Sequence, residues 1–237
     1  MPSEKNIWLI TFILASVAGY CDTVTFVSAN ELFSAHVTGN FIVFAYDIIK
    51  GSDVSAWIKL ITLPVFIASV ISGGYINDKT ESKYFLLLAE GILLLISGIA
   101  AIGLKAGIFS DQQLVMYTIV MIIVFAMGFQ NTFGKLFSKE THGPTTMMTG
   151  NVTQASLDLG NILRAKFSDT SISLSFKKQL TTIGGFLVGC LSGAIIANKL
   201  GLASVILPGV ILIYCCYRTG KLEENAKIIA ANNDNKM

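Results

Sequence analysis

The stretch AGYCD at residues 18–22 and the stretch TGN at residues 38–40 each have a counterpart later in this 237-residue chain. MGFQN at residues 127–131 matches the first stretch at an offset of 109 residues, and TGN at residues 149–151 repeats the second at 111. The order is the same in both halves, and the offsets differ by no more than a connecting loop can absorb. This pattern indicates an internal repeat.

The composition is that of an integral membrane protein. Apolar residues make up 53% of the chain and charged residues 14%, whereas soluble proteins have about 25% charged residues. The mean hydropathy is +0.65. A chain with so little polar surface is expected to have the lipid bilayer as its surroundings. The net charge of +2, without a basic cluster interleaved with aromatic residues, argues against a nucleic-acid partner.

Six apolar runs are each about long enough to cross a bilayer as a helix. They lie at residues 7–27, 58–76, 84–104, 114–134, 180–200 and 202–217. Two further segments, at residues 38–49 and 147–163, are too short or too polar to face lipid. We therefore expect an all-α, polytopic transmembrane helix bundle with six spanning helices and two short helices that are buried among them or re-entrant. The alternative is an eight-span bundle.

Further matches extend the repeat over most of the chain. They pair Asp47 with Asp158, Ser72-Gly73 with Ser192-Gly193, and Lys79 with Lys199. The sequence therefore predicts a first membrane repeat at residues 1–110, a second at residues 111–219 and a polar cytoplasmic tail at residues 220–237. Three spans in each half would make the repeat inverted, and four would make it parallel.

The first apolar run resembles a secretory signal peptide, because Lys5 precedes it and the residues at 16–18 form an acceptable cleavage site. We expect it to be retained as the first span, since its counterpart in the second half cannot be a signal. Lysine and arginine side chains divide 13 inside and 4 outside with six spans, and 12 and 5 with eight. Both readings place the two termini in the cytoplasm.

The repeated TGN motif supplies a candidate substrate-binding site. Threonine and asparagine are good N-cap residues, and glycine lets another backbone approach closely. A helix N-terminus buried in a membrane offers free N–H groups and partial positive charge, which suits an anion. The alternative is plain capping with close packing of small residues. The candidate residues are Thr38, Gly39, Asn40, Thr149, Gly150 and Asn151, with His36 beside the first motif.

Two acidic residues accompany the TGN motifs. Asp47 lies seven residues after Asn40, and Asp158 lies seven residues after Asn151. Two helical turns put each acid on the same helix face as its asparagine. Each acid is therefore a candidate for proton coupling. The alternative is that both lie at a membrane interface beside the basic residues that follow them.

Asp22 is the acid that we rank first for proton coupling. It lies late in the first apolar run, and its repeat partner is the neutral Asn131, so the fold tolerates a neutral residue at the equivalent place. A carboxylate near the bilayer centre costs roughly 2.5–3.5 kcal/mol on insertion scales. Such a group normally faces a partner or a wet cavity. Glu90 is a further acid within an apolar run, and we expect it to snorkel to the interface.

Motifs for catalysis and cofactor binding are missing from the sequence. It contains no P-loop, GxSxG, HExxH, paired CxxC or Rossmann fingerprint. The two histidines are too few for an all-histidine metal site, and we expect the four cysteines to be free thiols that pack as small hydrophobes. The protein is therefore expected not to be an enzyme, and to have neither a cofactor nor a metal.

The repeated motifs also resemble a known family. GYCDTVTF followed by FSAHVTGN, and MGFQNT followed by TTMMTGN, are similar to the YoaK-like family of bacterial inner-membrane proteins, catalogued as domain of unknown function 1275. The resemblance covers the chain from about Gly19 to about Tyr217. It implies a multi-pass protein of the bacterial inner membrane and brings no substrate, cofactor or catalytic residue.

Two functions fit these features. The repeat, the paired short helices and the acids favour a small secondary transporter or permease for a small polar or anionic solute. The alternative is a membrane scaffold or regulatory subunit, in which the acids only fix helix packing.

Overall fold

The computed structural model describes residues 4–51, 55–80, 82–165 and 169–234, and every regular element within them is helical. The elements are α1 (Glu4–Ser28), α2 (Gly39–Ile49), α3 (Ser55–Lys79), α4 (Phe85–Lys105), α5 (Gln112–Leu136), α6 (Met148–Arg164), α7 (Thr170–Leu200), a 3-10 turn (Gly201–Val205) and α8 (Ile206–Asp234). The prediction of an all-α helix bundle is confirmed.

Five segments of the described chain are long and apolar enough to cross a membrane, as the composition predicts. They are Asn6–Ser28, Ala56–Lys79, Phe85–Lys105, Gln112–Leu136 and Thr170–Gly220. The last segment covers 51 residues and contains both α7 and α8. The 3-10 turn interrupts it where Gly201 has a φ of 63°, a conformation that favours glycine. The protein is therefore a membrane helix bundle with six long helices.

Two helices differ from their predicted bounds. α7 begins at Thr170, ten residues before the predicted run, because Asp169 caps it by accepting hydrogen bonds from the N–H groups of Ser171 and Ile172. The backbone of α8 remains helical to Asp234 and so includes most of the predicted polar tail.

The corresponding helices α1 and α5 run in opposite directions. Near the start of α1, the Leu14 carbonyl accepts a hydrogen bond of 2.8 Å from the Gln130 side chain, late in α5. Just beyond the end of α1, Asn30 donates to the hydroxyl of Tyr117, which lies early in α5. The start of each helix is therefore at the same end of the bundle as the end of the other.

The corresponding helices α4 and α8 are also antiparallel. Gly91, early in α4, lies against Gly209, and Gly98, later in α4, lies against Ile206 at the start of α8. The start of α4 also adjoins the end of α5, because Glu140 accepts hydrogen bonds from Lys83 and Tyr84. We call the end of the bundle where α1 begins the amino end; α5 and α8 run towards it.

The most closely packed helix pairs each combine one helix of the first half with one helix of the second half. α1 packs along α7, and α3 packs along α5, each pair running parallel. A Cβ atom on Gly19 would lie 2.2 Å from the Phe186 carbonyl oxygen, and one on Gly128 would meet the equivalent carbonyl of Phe66. Small residues permit this approach where lipid offers no hydrophobic driving force for helix association. The same contact thus recurs at both interfaces.

The connection after α1 and the helix α2 form a hairpin, residues 29–49, that we call the first hairpin. The connection folds back along α1 as far as Asp22, about 9 Å before the end of that helix at 1.5 Å per residue. α2 then returns along α3, with Asn40 against Thr62 and Asp47 against Lys59, nearer the start of α3. The first hairpin therefore enters and leaves at one end of the bundle.

The second hairpin, residues 137–164, repeats this arrangement at the amino end. Its connection folds back along α5, where Thr146 donates to Asn131, and α6 then packs along α7. The two hairpins thus start from opposite ends of the bundle.

The expectation that both short helices are buried among the long helices is wrong. Asn40 is the one buried residue of α2, whereas Ile42 is 76% exposed and Ile49 is 86% exposed. α6 buries a single stripe of side chains, made of Asn151, Ala155, Asp158 and Ile162. Each short helix covers one long helix and leaves its outer apolar face open.

The helix directions generate a prediction about membrane topology. Reporter fusions at Lys139 and at the C-terminus are expected to read the same side, the cytoplasm, because both positions follow helices that run to the amino end. A fusion at Gly51 is expected to read the periplasm. Paired phosphatase and fluorescent-protein reporters make the measurement. A periplasmic reading at Lys139 would contradict the six-span arrangement and support eight spans.

Candidate functional site

Asp22 anchors the first hairpin to α1. Its side chain is only 3% exposed, and its Oδ1 atom accepts the backbone N–H groups of Ser34, Ala35 and His36 at 2.8, 2.5 and 3.2 Å. Its Oδ2 atom accepts a hydrogen bond from Nδ1 of His36. One carboxylate therefore satisfies three successive backbone donors, an arrangement that suits a negative charge.

His36 gives this anchor a group that titrates near neutral pH. The hydrogen bond to the Asp22 carboxylate raises the pKa of His36 above its ordinary value, although desolvation opposes the shift. The imidazole side chain is 35% exposed, and its ring packs edge-on against Phe186 of α7 at 5.4 Å between centroids. The pair therefore links the first hairpin, α1 and α7 through a charge that protons can change.

The second hairpin has a neutral version of this anchor. The side-chain oxygen of Asn131 accepts a hydrogen bond of 2.6 Å from the Thr146 hydroxyl, and its NH₂ group donates to the Met127 carbonyl. Met147 stands at the repeat position of His36. The sequence predicts a difference in charge between Asp22 and Asn131. The structure extends this difference to their partners, because His36 can be charged and Thr146 is neutral.

The asparagine side chains of the TGN motifs form hydrogen bonds across each hairpin. Asn40 accepts from the Phe33 N–H at 2.8 Å and donates to the Phe33 carbonyl and the Thr62 hydroxyl, both at 2.9 Å. Asn151 donates to the Pro144 carbonyl at 2.9 Å, which is the equivalent contact. Proline has no N–H, so the reciprocal bond cannot form in the second hairpin.

The structure does not bring the two TGN motifs together into one site. α2 and α6 have no contact with each other within the described chain, since α2 packs on α3 and α6 packs on α7. The side chain of Thr38 makes no capping hydrogen bond, and the N–H groups at 39–41 donate to carbonyls of the hairpin. Thr149 and Gly150 are exposed at the start of α6. The expected cap and the free N–H groups are thus missing from the first motif.

Asp47 is paired with a basic residue that sequence reasoning missed. Lys59 of α3 is 5% exposed and forms an ion pair with Asp47. The neighbouring Lys50 instead lies over the ring of Tyr46, at 4.3 Å from its centroid. No sequence pattern marked Lys59, because its partner lies on a different helix.

One of the two carboxylate oxygens of Asp158 accepts a hydrogen bond, and the other does not among the described residues. Asp158 is 5% exposed, and its Oδ1 atom accepts a hydrogen bond of 2.7 Å from Gln154, one turn earlier in α6. Its Oδ2 atom is buried and has no hydrogen-bond partner among the described residues. Arg164 directs its Nε atom to the Gly160 carbonyl, so the predicted interface pairing is not the contact that this group makes.

Glu90 is buried deeper than we expected. The side chain is 0% exposed within α4, and neither carboxyl oxygen has a hydrogen-bond partner in the part of the chain that the structure describes. The expectation that it snorkels to the interface is therefore wrong. The close packing of α8 against the adjacent Gly91 encloses this turn of α4.

A cavity of about 560 Å³ opens at the end of the bundle opposite the amino end. Its volume lies within the roughly 300–1,000 Å³ of typical small-molecule sites. Ser28, Lys105, Gln112 and Asn198 supply most of its polar side chains, and none of its lining residues belongs to a TGN motif. No sequence pattern marked this cavity, because the ends of α1, α4, α5 and α7 form it only after folding.

These features define a membrane helix bundle with two hairpins, each of which enters and leaves at one end of the bundle. The chain belongs to the family described as "Protein of unknown function (DUF1275)", whose profile matches residues 10–217. The resemblance to domain of unknown function 1275 is therefore confirmed, and the match begins earlier than predicted. No curated protein and no solved structure matches the chain.

The unequal asparagine contacts generate a prediction about stability. Asn40→Ala removes three hydrogen bonds, one of them in a fully buried setting, and leaves the partly buried Phe33 N–H without its partner, so we expect a loss of about 2–3 kcal/mol in the free energy of unfolding. Asn151→Ala, the matched control, removes one such bond and is expected to cost about 1 kcal/mol. Unfolding of the purified variants in detergent measures both. Equal losses in the free energy of unfolding would contradict the larger stabilising role of Asn40.

The Asp22–His36 pair generates a prediction about pH. Because folding raises the pKa of His36, its stabilising contribution is fully present below about pH 6.5 and is lost as pH rises through the folded pKa. We expect the Tm of the protein to fall over this window and the Tm of His36→Gln to fall less. Thermal unfolding from pH 5.5 to pH 9 provides the comparison. Identical slopes would show that the pair does not link protonation to stability.

Proposed function

We propose that the protein is a small secondary transporter or permease for a small polar or anionic solute. We place it in the bacterial inner membrane, with both termini in the cytoplasm. The observation that carries the proposal is the opposed direction of the two halves, each with a hairpin that enters and leaves at its own end. Inverted repeats with broken helices at membrane depth are typical of secondary transporters. Irregular backbone is tolerated there only where protein or a water-filled cavity surrounds it.

We further propose that the six long helices cross the membrane as an inverted repeat of three plus three. The antiparallel pairs α1/α5 and α4/α8 support this arrangement, since a parallel repeat would make corresponding helices run the same way. The recurring contacts between glycines and phenylalanine carbonyls support the repeat itself. The excess of basic residues on the side of the termini supports the orientation.

In this proposal the Asp22–His36 pair couples protons to movement of the first hairpin. A proton on the pair changes the charge that holds three backbone N–H groups against α1. The second hairpin is held by the neutral Asn131 and Thr146, so it would not respond to the same pH change. Protonation would thus change how firmly the first hairpin is held against α1 and would leave the second hairpin unchanged.

The cavity opposite the amino end is the proposed solute entrance. Lys105 is the one charged residue among its described lining residues. A single cation together with amide and hydroxyl groups suits a small polar or anionic solute better than a cation. The cavity is also open to the outside, as an entrance must be.

A membrane scaffold or regulatory subunit is the second candidate. It is favoured by the hydrogen bonds that occupy the Asn40 side chain and by the lack of contact between α2 and α6 in the described residues. In that case the hairpins only shape a surface, and the acids only fix packing.

The two candidates are separated by flux and binding measurements on the purified full-length protein. Proteoliposomes on a solid-supported membrane are exposed to a panel of small organic anions and polar metabolites, with and without an inward proton gradient. We expect at least one solute to give a current that depends on the gradient. Asp22→Asn should remove this dependence, and Lys105→Gln should raise the half-saturating concentration about tenfold, equivalent to about 1.4 kcal/mol.

Thermal unfolding with the same panel supplies the control. A transported solute should also raise the Tm of the protein, by an amount set by its concentration relative to Kd. The absence of any current or Tm shift across the panel would contradict transport of these solutes and favour the scaffold.

A further inference from the structure

The long helices on which the two short helices pack differ at one matched position, where α3 carries the buried Lys59 and α7 carries the partly buried Gln179. An offset of 120 residues relates the two helices, as the equivalent contacts of Phe66 and Phe186 show. Thr62 and Thr182 obey the same offset, and both are 0% exposed. Gln179 therefore occupies in the second half the place that Lys59 occupies in the first.

In the first half an ammonium group occupies this place. Lys59 of α3 forms its ion pair with Asp47, and both side chains are largely buried. The positive charge of the lysine therefore lies directly against the carboxylate.

The second half keeps the acid, and Gln179 stands at the place of the lysine. Asp158 corresponds to Asp47, and α6 packs on α7 as α2 packs on α3. The Oδ2 atom of Asp158 and the Oε1 atom of Gln179 are both buried, and neither has a hydrogen-bond partner among the described residues. Gln154 donates to Oδ1 of Asp158, while the nearby Arg164 uses its Nε atom on a backbone carbonyl.

A buried carboxylate oxygen without a hydrogen-bond partner is costly, because the protein does not replace the water that this oxygen loses on folding. Carboxylate and amide carbonyl oxygens are the ligands that hard cations prefer. One negative charge and few oxygen ligands suit a monovalent ion, whereas Ca²⁺ requires six to eight oxygens. The charge and the ligands thus both match a small monovalent cation.

We propose that the second hairpin binds a small monovalent cation of the sodium type between Asp158 and Gln179, at the place where the first hairpin holds the Lys59 ammonium group. The proposal does not rest on the proposed transport function, because binding can be measured without a solute. If the protein transports, this cation is a candidate coupling ion.

Thermal unfolding of the full-length protein in detergent tests the site. Sodium chloride is titrated against N-methyl-D-glucamine chloride at constant ionic strength and pH. The Tm is expected to rise on the order of 3 °C for each tenfold increase in sodium above Kd. A Tm that is the same in the two salts would overturn the proposal, as would occur if the Gln179 NH₂ group rather than its oxygen faces Asp158.

Three variants distinguish a specific site from a general salt effect. Asp158→Asn should lose the sodium response. Gln179→Lys supplies the ammonium group of the first hairpin, so it should raise the Tm in the absence of sodium and also remove the response. Lys59→Gln, the matched exchange in the first half, should add a second sodium-dependent rise.

The variants keep the test decisive even if one of them fails to fold. Gln179→Lys is expected to be at least as stable as the natural protein, so a failure of Asp158→Asn leaves it as the measurement. A sodium response that persists unchanged in Gln179→Lys would overturn the proposal.

Discussion

The structure depends on satisfying backbone N–H groups where two chain segments fold back into the bundle. Water is scarce at membrane depth, so these groups must find partners within the protein. In the first hairpin the Asp22 carboxylate accepts three successive N–H groups, and Asn40 accepts a fourth from Phe33. In the second hairpin Asn131 and Asn151 occupy the equivalent places. The repeated polar motifs therefore hold the irregular backbone that separates each short helix from the preceding long one.

The side chains that hold the hairpin differ in charge between the two halves. The first half has two ion pairs at its hairpin, Asp22 of α1 with His36 and Asp47 with Lys59 of α3. The second half has Asn131 and Thr146 in place of the first pair, and one oxygen of Asp158 has no hydrogen-bond partner among the described residues. Two hairpins of similar shape are therefore held by groups of different charge.

The two predicted halves of the chain cannot be regarded as independent domains. α1 packs most closely against α7, and α3 packs against α5, so each half supplies the partner of the other. Glycines make these contacts possible, because a Cβ atom on Gly189 would lie 2.0 Å from the Ser16 carbonyl oxygen. Close backbone packing replaces the hydrophobic effect as the source of helix association in lipid.

The sequence by itself determined the helical class, the six long apolar runs and the matched positions of the TGN motifs, because local hydrophobicity and repetition are properties of the chain. Tertiary structure decided the partners. Asp22 contacts the backbone at 34–36, and Asp47 contacts Lys59, so each contact joins two different segments. Glu90 is enclosed by packing and has no hydrogen-bond partner among the described residues. Sequence spacing within one helix does not report such contacts, since they depend on where the chain folds back and on which long helix each short helix covers.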